Sequence, residues 1–178
     1  MKWATTNNVH FDRVASPWLI KRFIDPNAEF FFVARGQEDK RPNDAIPFAI
    51  PGAKLGPHDE NGPTFLKILK EYKLQDPALD LMAKVVDLGV NYVLHGFRPA
   101  ADDKYGQIAV GYVAFSDGMI LHKRTDPERL EASYVAYDAL YALFKALVHS
   151  LLKTLFKTFV KALVHSFVQD FLVDPGFF

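Results

Sequence analysis

The sequence predicts an α+β domain, mostly helical, with a small N-terminal sheet packed against helices and a C-terminal helical extension. Three observations carry this. Two short strand-type runs, residues 2–5 and 29–33, bracket a segment with helical spacing. The dipeptide Asp-Pro opens two later apolar-periodic segments, at Asp76-Pro77 and Asp126-Pro127. From residue 145 the chain is an apolar run interrupted by a polar residue at every fourth position.

Each element has its own local reason. Asn7 and Asn8 suit a turn after the first strand. Residues 11–24 place Val14, Trp18, Leu19 and Phe23 near helical spacing, with Ser16 as the expected N-cap and Pro17 in the first turn. Asp25-Pro26-Asn27 ends that helix, and Glu-Phe-Phe-Phe-Val at 29–33 reads as a strand. Residues 34–63 are rich in Gly and Pro and predict loop, with one short strand within 45–50. Thr64 is the expected cap of a helix carrying Phe65, Ile68 and Leu69. The helix opened by Asp76 presents Leu79, Met82, Val85 and Val86, and Gly89 predicts its end or a kink. Residues 106–120 are apolar with three glycines, so helix and strand both fit. The helix opened by Asp126 carries Leu130, Tyr134, Tyr137, Leu140 and Tyr141.

Composition excludes whole classes of function. The 178 residues hold 21 Lys+Arg and 21 Asp+Glu, and this balance excludes a strongly basic nucleic-acid-coating protein. No nucleic-acid partner is expected. There is no cysteine, which removes disulfides, thiolate metal sites and cysteine nucleophiles. Gly-x-Gly-x-x-Gly and Gly-x-x-x-x-Gly-Lys are absent, so no nucleotide cofactor is expected. Residues 1–12 are polar, which predicts a cytoplasmic protein, and no uncharged 18-residue apolar stretch predicts a spanning helix.

The run Asp12-Arg-Val-Ala-Ser-Pro-Trp-Leu-Ile-Lys-Arg-Phe-Ile-Asp-Pro-Asn-Ala-Glu-Phe30 resembles the opening motif of the ChrB-type chromate-resistance domain family. Ile50-Pro-Gly-Ala-Lys-Leu-Gly-Pro-His58 is similar to that family's Pro-Gly turn and histidine, and Tyr137-Asp-Ala-Leu-Tyr141 to its C-terminal helix signature. The resemblance covers about residues 2–144 and divides the chain into a chromate-resistance-type domain, 1–144, and an extension, 145–178. It implies a role in chromate resistance. Many members carry Cys where this chain has Ser16 and again near Pro63, so a thiol redox mechanism cannot operate here. The family's DNA-binding half has no counterpart in these residues, so a transcription factor is not expected.

Four groups of residues could carry chemistry. His58-Asp59-Glu60 lies in the Pro/Gly-rich loop, and imidazole with carboxylate suits Zn, Mn or Fe(II). Adjacent residues point apart, so further ligands must come from elsewhere; the expected metal set is His58, Glu60, His95 and Asp138, with His10 and His122 as other donors. Arg13 and Arg22 offer planar forks for a tetrahedral oxyanion near the helix N-terminus at Ser16, or else form ion pairs with Asp12 and Asp25. Glu29 and Asp138 read as carboxylates that need a partner, and Arg13 or Arg22 would supply it. His95 precedes Gly96, where a helix end favours a cationic histidine.

The extension repeats Lys-Ala-Leu-Val-His-Ser at 145–150 and 161–166. Steps of four drift about 40° on a straight helix, so the polar stripe winds round over its full length. This favours a helix packed on the domain or on a partner, including self-association, and argues against lying flat on a membrane. The leading expectation is a domain that binds a divalent metal or a small oxyanion, with a metal-assisted redox or detoxifying step if it is an enzyme. The alternative is a non-catalytic sensor or interaction module associating through the C-terminal helix.

Overall fold

The computed structural model describes residues 1–122 and 124–172, with side chains through His165. Residues 173–178 of the expected extension lie outside the described residues. The order is β1 (Lys2–Thr6), α1 (Asp12–Phe23), β2 (Glu29–Val33), a 3-10 turn (Glu38–Lys40), β3 (Ile46–Pro47), α2 (Thr64–Glu71), α3 (Pro77–His95), α4 (Lys104–Leu121) and α5 (Asp126–Leu172). The fold is α+β and mostly helical, as the sequence predicts.

The three strands form a parallel sheet in the order β2-β1-β3. Trp3 stands opposite Phe30 on one side and Ile46 on the other. β3 is an edge strand in which Pro47 costs no ladder bond, since Phe48 N donates to Ala4 O at 2.9 Å, and Ala49, at φ 51°, ends it. Helix α1 carries the chain from β1 to the parallel β2, the connection such a pair requires. One core holds the fold together. Its largest fully buried side chains include Trp3, Trp18, Phe48, Phe65, Tyr137 and Phe144, drawn from sheet, loop, α1, α2 and α5. Trp18 stacks parallel to Phe65 at 6.4 Å and contacts Tyr137 at 6.0 Å, so α1 is clamped between α2 and α5.

The structure corrects several local expectations. α1 begins at Asp12, not at Ser16, and Pro17 lies inside it. Ser16 is fully buried and donates to Asp12 Oδ1 at 3.2 Å, so it is a core residue and caps nothing. Thr64 is likewise not a cap; it is the first residue of α2, after Pro63. α3 runs unbroken through Gly89, because the missing Cβ there leaves room for the Phe11 ring. Residues 106–120 are helical within α4, which Asp103 caps through the Gly106 N–H at 3.0 Å. The two Asp-Pro starts both open helices, and Asp76 caps α3 by accepting from Ala78 N at 2.8 Å.

α5 leaves the body after Phe144, the last fully buried residue on it. Every residue from 149 to 165 is exposed, so this part of the extension does not pack on the domain. α5 over Asp126–His165 is, by length and composition alone, long and apolar enough to cross a membrane, although its apolar stretch is interrupted by lysines.

Candidate functional site: a cleft at the carboxyl ends of the parallel strands

Chains leaving parallel strands diverge at the strands' carboxyl ends, and ligands of open α/β sheets bind in the crevice that results. Such a crevice is present here, with a volume of about 540 Å³. Thr6 ends β1, Arg35 follows β2 and Ala49 follows β3, and all three line it. His10, Arg13 and His58 add side chains from the β1–α1 turn, α1 and the Pro/Gly-rich loop. α3 closes the far wall with Val90, Val93 and Leu94.

The wall is built from unusual backbone. Phe11 has φ 37° and ψ −96°, and Ala49 has φ 51°; both face the cleft and neither is glycine. Such conformations cost about 1–3 kcal/mol each and persist only where surrounding contacts over-determine them. Those contacts are explicit. The Arg13 guanidinium donates to Thr6 O at 2.8 Å, Thr6 Oγ1 at 2.7 Å, Asn7 O at 3.1 Å and Asn8 O at 3.0 Å. Asp126, at the start of α5, accepts from Asn8 N and Val9 N, both at 2.9 Å. The turn after β1 is therefore gripped from both sides.

Asp12 is the second fixed point. It is buried, and its Oδ2 accepts from Thr64 N at 2.9 Å and its Oδ1 from Phe65 N at 3.1 Å. The first residue of α1 thus caps α2 from 52 positions away in sequence. Burial pushes the Asp12 carboxyl up from its ordinary value, and the Phe65 and Thr64 N–H groups pull against that. The expected Arg13–Asp12 ion pair is not formed, since Arg13 spends its donors on the turn carbonyls and the Thr6 hydroxyl.

Two arginines, Arg13 and Arg35, and two carboxylates, Asp12 and Glu38, line the cleft. Arg35 is exposed and makes no side-chain hydrogen bond or ion pair among the described residues. Arg13 is held below its usual value by burial and then by the nearby charge of Arg35. Glu38 lines the same cleft, but its carboxylate accepts from Gly36 N at 2.9 Å. His10 Nε2 lies 2.9 Å from Asp117 Oδ1; burial lowers its pKa and Asp117 partly offsets this.

The expected metal set does not come together. His58 and His95 do meet, with ring centroids 5.6 Å apart. Glu60 is exposed, and Asp59 turns to Lys67 at 2.8 Å. Asp138 lies elsewhere: its Oδ1 accepts from Trp18 Nε1 and Arg22 Nε, and its Oδ2 from Arg22 Nη2, all at 2.8 Å. That bidentate pair ties α1 to α5, and Arg22 beside Asp138 holds its carboxyl below the usual range. Asp25 pairs with the N-terminal ammonium and not with Arg22. Glu29 is exposed at the start of β2, and its N–H donates to Met1 O at 3.0 Å. His122 is the C-cap of α4. Among the described residues no three His, Asp or Glu side chains converge closely enough to hold a metal ion.

One residue of the cleft, Arg35, and one partner of its lining, Asp87, escape sequence reasoning. Asp87 reaches His58 Nε2 at 3.4 Å, and its spacing of eight from His95 on α3 was the available signal. Arg35 was legible only as the residue after a strand whose parallel pairing was not yet known.

The residues of the two motifs that flank the core are thus mutual partners: Trp18 and Arg22 hold Asp138, and the Tyr137 hydroxyl donates to Phe11 O at 3.5 Å. The family model of the ChrB C-terminal domain matches residues 3–144. The chain belongs to the ChrB C-terminal domain family. The chain is also similar to Protein ChrB of Cupriavidus metallidurans, with 37% identity over 94 residues. That match covers 49% of this chain and 28% of the ChrB protein, so the chain corresponds to a minor part of that relative's length. No solved structure matches the chain significantly.

Proposed function

We propose that this ChrB-type domain serves chromate resistance by binding a small tetrahedral oxyanion in the cleft at the carboxyl ends of its parallel strands. One observation supports this above others: Arg13 and Arg35 face the same cleft, and neither is ion-paired among the described residues. Two like charges in a partly dry site raise each other's cost, and a dianion between them relieves it. Arg13 is a fixed charge with most donors engaged, whereas the Arg35 fork is available for bidentate contact. The reading requires no catalysis and fits a sensor or carrier as well as an enzyme.

Titration of the protein with chromate and with sulfate, followed by calorimetry, tests this. Arg35→Gln should weaken either dianion by about tenfold or more, the worth of one charged hydrogen bond. An unchanged affinity in that variant would remove the reading.

A second reading rests on His58, Asp87 and His95. Two imidazoles and one carboxylate are a suitable donor set for Zn, Mn or Fe(II), although their present spacing is wider than coordination requires. Elemental analysis of the purified protein should then find one metal near stoichiometry, lost in His58→Ala. Full metal retention in His58→Ala would sink this assignment.

A further inference from the structure

We propose that the exposed part of α5, residues 148–163, is an amphipathic anchor that lies in the interface of an anionic lipid bilayer. Within this stretch Leu151, Leu152, Leu155, Phe156, Phe159 and Leu163 are each 54–70% exposed. Soluble domains do not leave a row of large apolar side chains open without an occupant.

Helical geometry puts these six on one face. At about 100° per residue they fall in a sector roughly 140° wide, together with Val148 and Ala162. Lys153, Lys157 and Lys161 occupy roughly 80° centred on the opposite side, with Ser150, Thr154 and Thr158 beside them. The two threonine hydroxyls donate back to Ser150 O and Thr154 O, both at 3.0 Å, so they are satisfied on the helix. Val160 and Val164 fall among the lysines, as scattered surface valines can.

The drifting stripe that argues against flat attachment is a property of the whole run from 145 to 169. Its first member, Lys145, belongs to the domain, 3.9 Å from Asp76 and over the Tyr141 ring. Over the exposed turns that remain, the apolar sector stays free of charge.

Charge selects the occupant. No Asp or Glu lies between Asp138 and Asp170, so the helix offers only positive charge. A second copy seated on the apolar sector would leave the three lysines on the outer face with no acidic side chain of either helix to pair them. Anionic headgroups complement the lysines while the acyl boundary takes Leu and Phe. A full crossing is disfavoured, because the N-terminal part of α5 is packed in the domain and lysines recur at every turn of the rest.

The test is co-sedimentation of the full chain with vesicles of equal parts phosphatidylglycerol and phosphatidylcholine, against pure phosphatidylcholine, with sedimentation velocity in lipid-free buffer alongside. The protein should pellet with the anionic vesicles, less so as salt rises. Leu155→Glu with Phe159→Glu should abolish pelleting. Lys153→Gln, Lys157→Gln and Lys161→Gln together should weaken it by about a hundredfold. Both variants change exposed residues only, so their thermal unfolding should match the parent and exclude misfolding as the cause. Pelleting that survives both variants, or no pelleting with anionic vesicles, overturns the proposal. A dimer in lipid-free buffer that Leu155→Glu with Phe159→Glu dissociates, without vesicle binding, would assign the face to a second copy instead.

Discussion

Replacing Asp12 with alanine should cost the domain about 2–5 kcal/mol, since two buried N–H groups lose their acceptor at about 1–3 kcal/mol each. The carboxylate is the only acceptor shown for Thr64 N and Phe65 N, and it also takes the Ser16 hydroxyl. Alanine would leave two helix-terminal N–H groups buried and unpaired at the start of α2, where no side chain of α2 itself caps them. Against a total stability of about 5–15 kcal/mol for a domain, such a loss is a large share. Urea unfolding followed by circular dichroism should show the midpoint fall by roughly 1–2 M. Asp12→Asn sharpens the result. Its carbonyl oxygen can serve one N–H, but its amide nitrogen would then face another donor. It should fall between alanine and the parent. Parental stability in both variants would mean that α2 is capped in some other way.

The same residue shows what a sequence can and cannot display. Caps within a helix are local, so Asp76 and the two Asp-Pro starts were legible from a few neighbours. A cap delivered across 52 residues has no local pattern, and Asp12 read instead as one half of an ion pair with Arg13. Asp138 was partly legible, because a carboxylate inside an apolar helix needs a partner and Arg22 stood in the first motif. The second partner, Trp18, was not, since an indole N–H carries no charge to suggest pairing.

The cleft follows the same division. His58 and His95 were visible as residue types, and their approach depends on how the Pro/Gly-rich loop folds over α3. Glu60 was drawn in by adjacency alone, and adjacency on an irregular loop sends side chains apart. Arg35 became a site residue only when the strands proved parallel, because parallel pairing is what places the chain after β2 beside the chain after β1. The strained backbone at Phe11 and Ala49 has no sequence signature, since neither residue type favours positive φ.

Gly89→Ala should destabilise the domain by about 1–2 kcal/mol even though alanine is the better helix former. An added Cβ would stand 2.2 Å from both Cε1 and Cζ of Phe11, closer than any real contact. Phe11 is poorly placed to yield. Its ring is 2% exposed, its φ is 37°, and its carbonyl accepts from the Tyr137 hydroxyl. Helix propensity returns about 1 kcal/mol, and overpacking of a well-filled core removes about 1–3 kcal/mol or more. Phe11→Leu shortens the offending side chain. The double variant should therefore be more stable than the sum of the two single changes predicts, with a coupling of about 1–2 kcal/mol. Thermal or urea unfolding of the four proteins closes that cycle. Additivity would show that the α3 backbone moves away from Phe11 and that the glycine is dispensable. The change should also reach function. Phe11 and Val90, the neighbour of Gly89, both line the cleft, so a displaced ring alters its wall. A drop in oxyanion affinity in Gly89→Ala, restored in the double variant, would tie the close approach of α1 and α3 to the shape of the site.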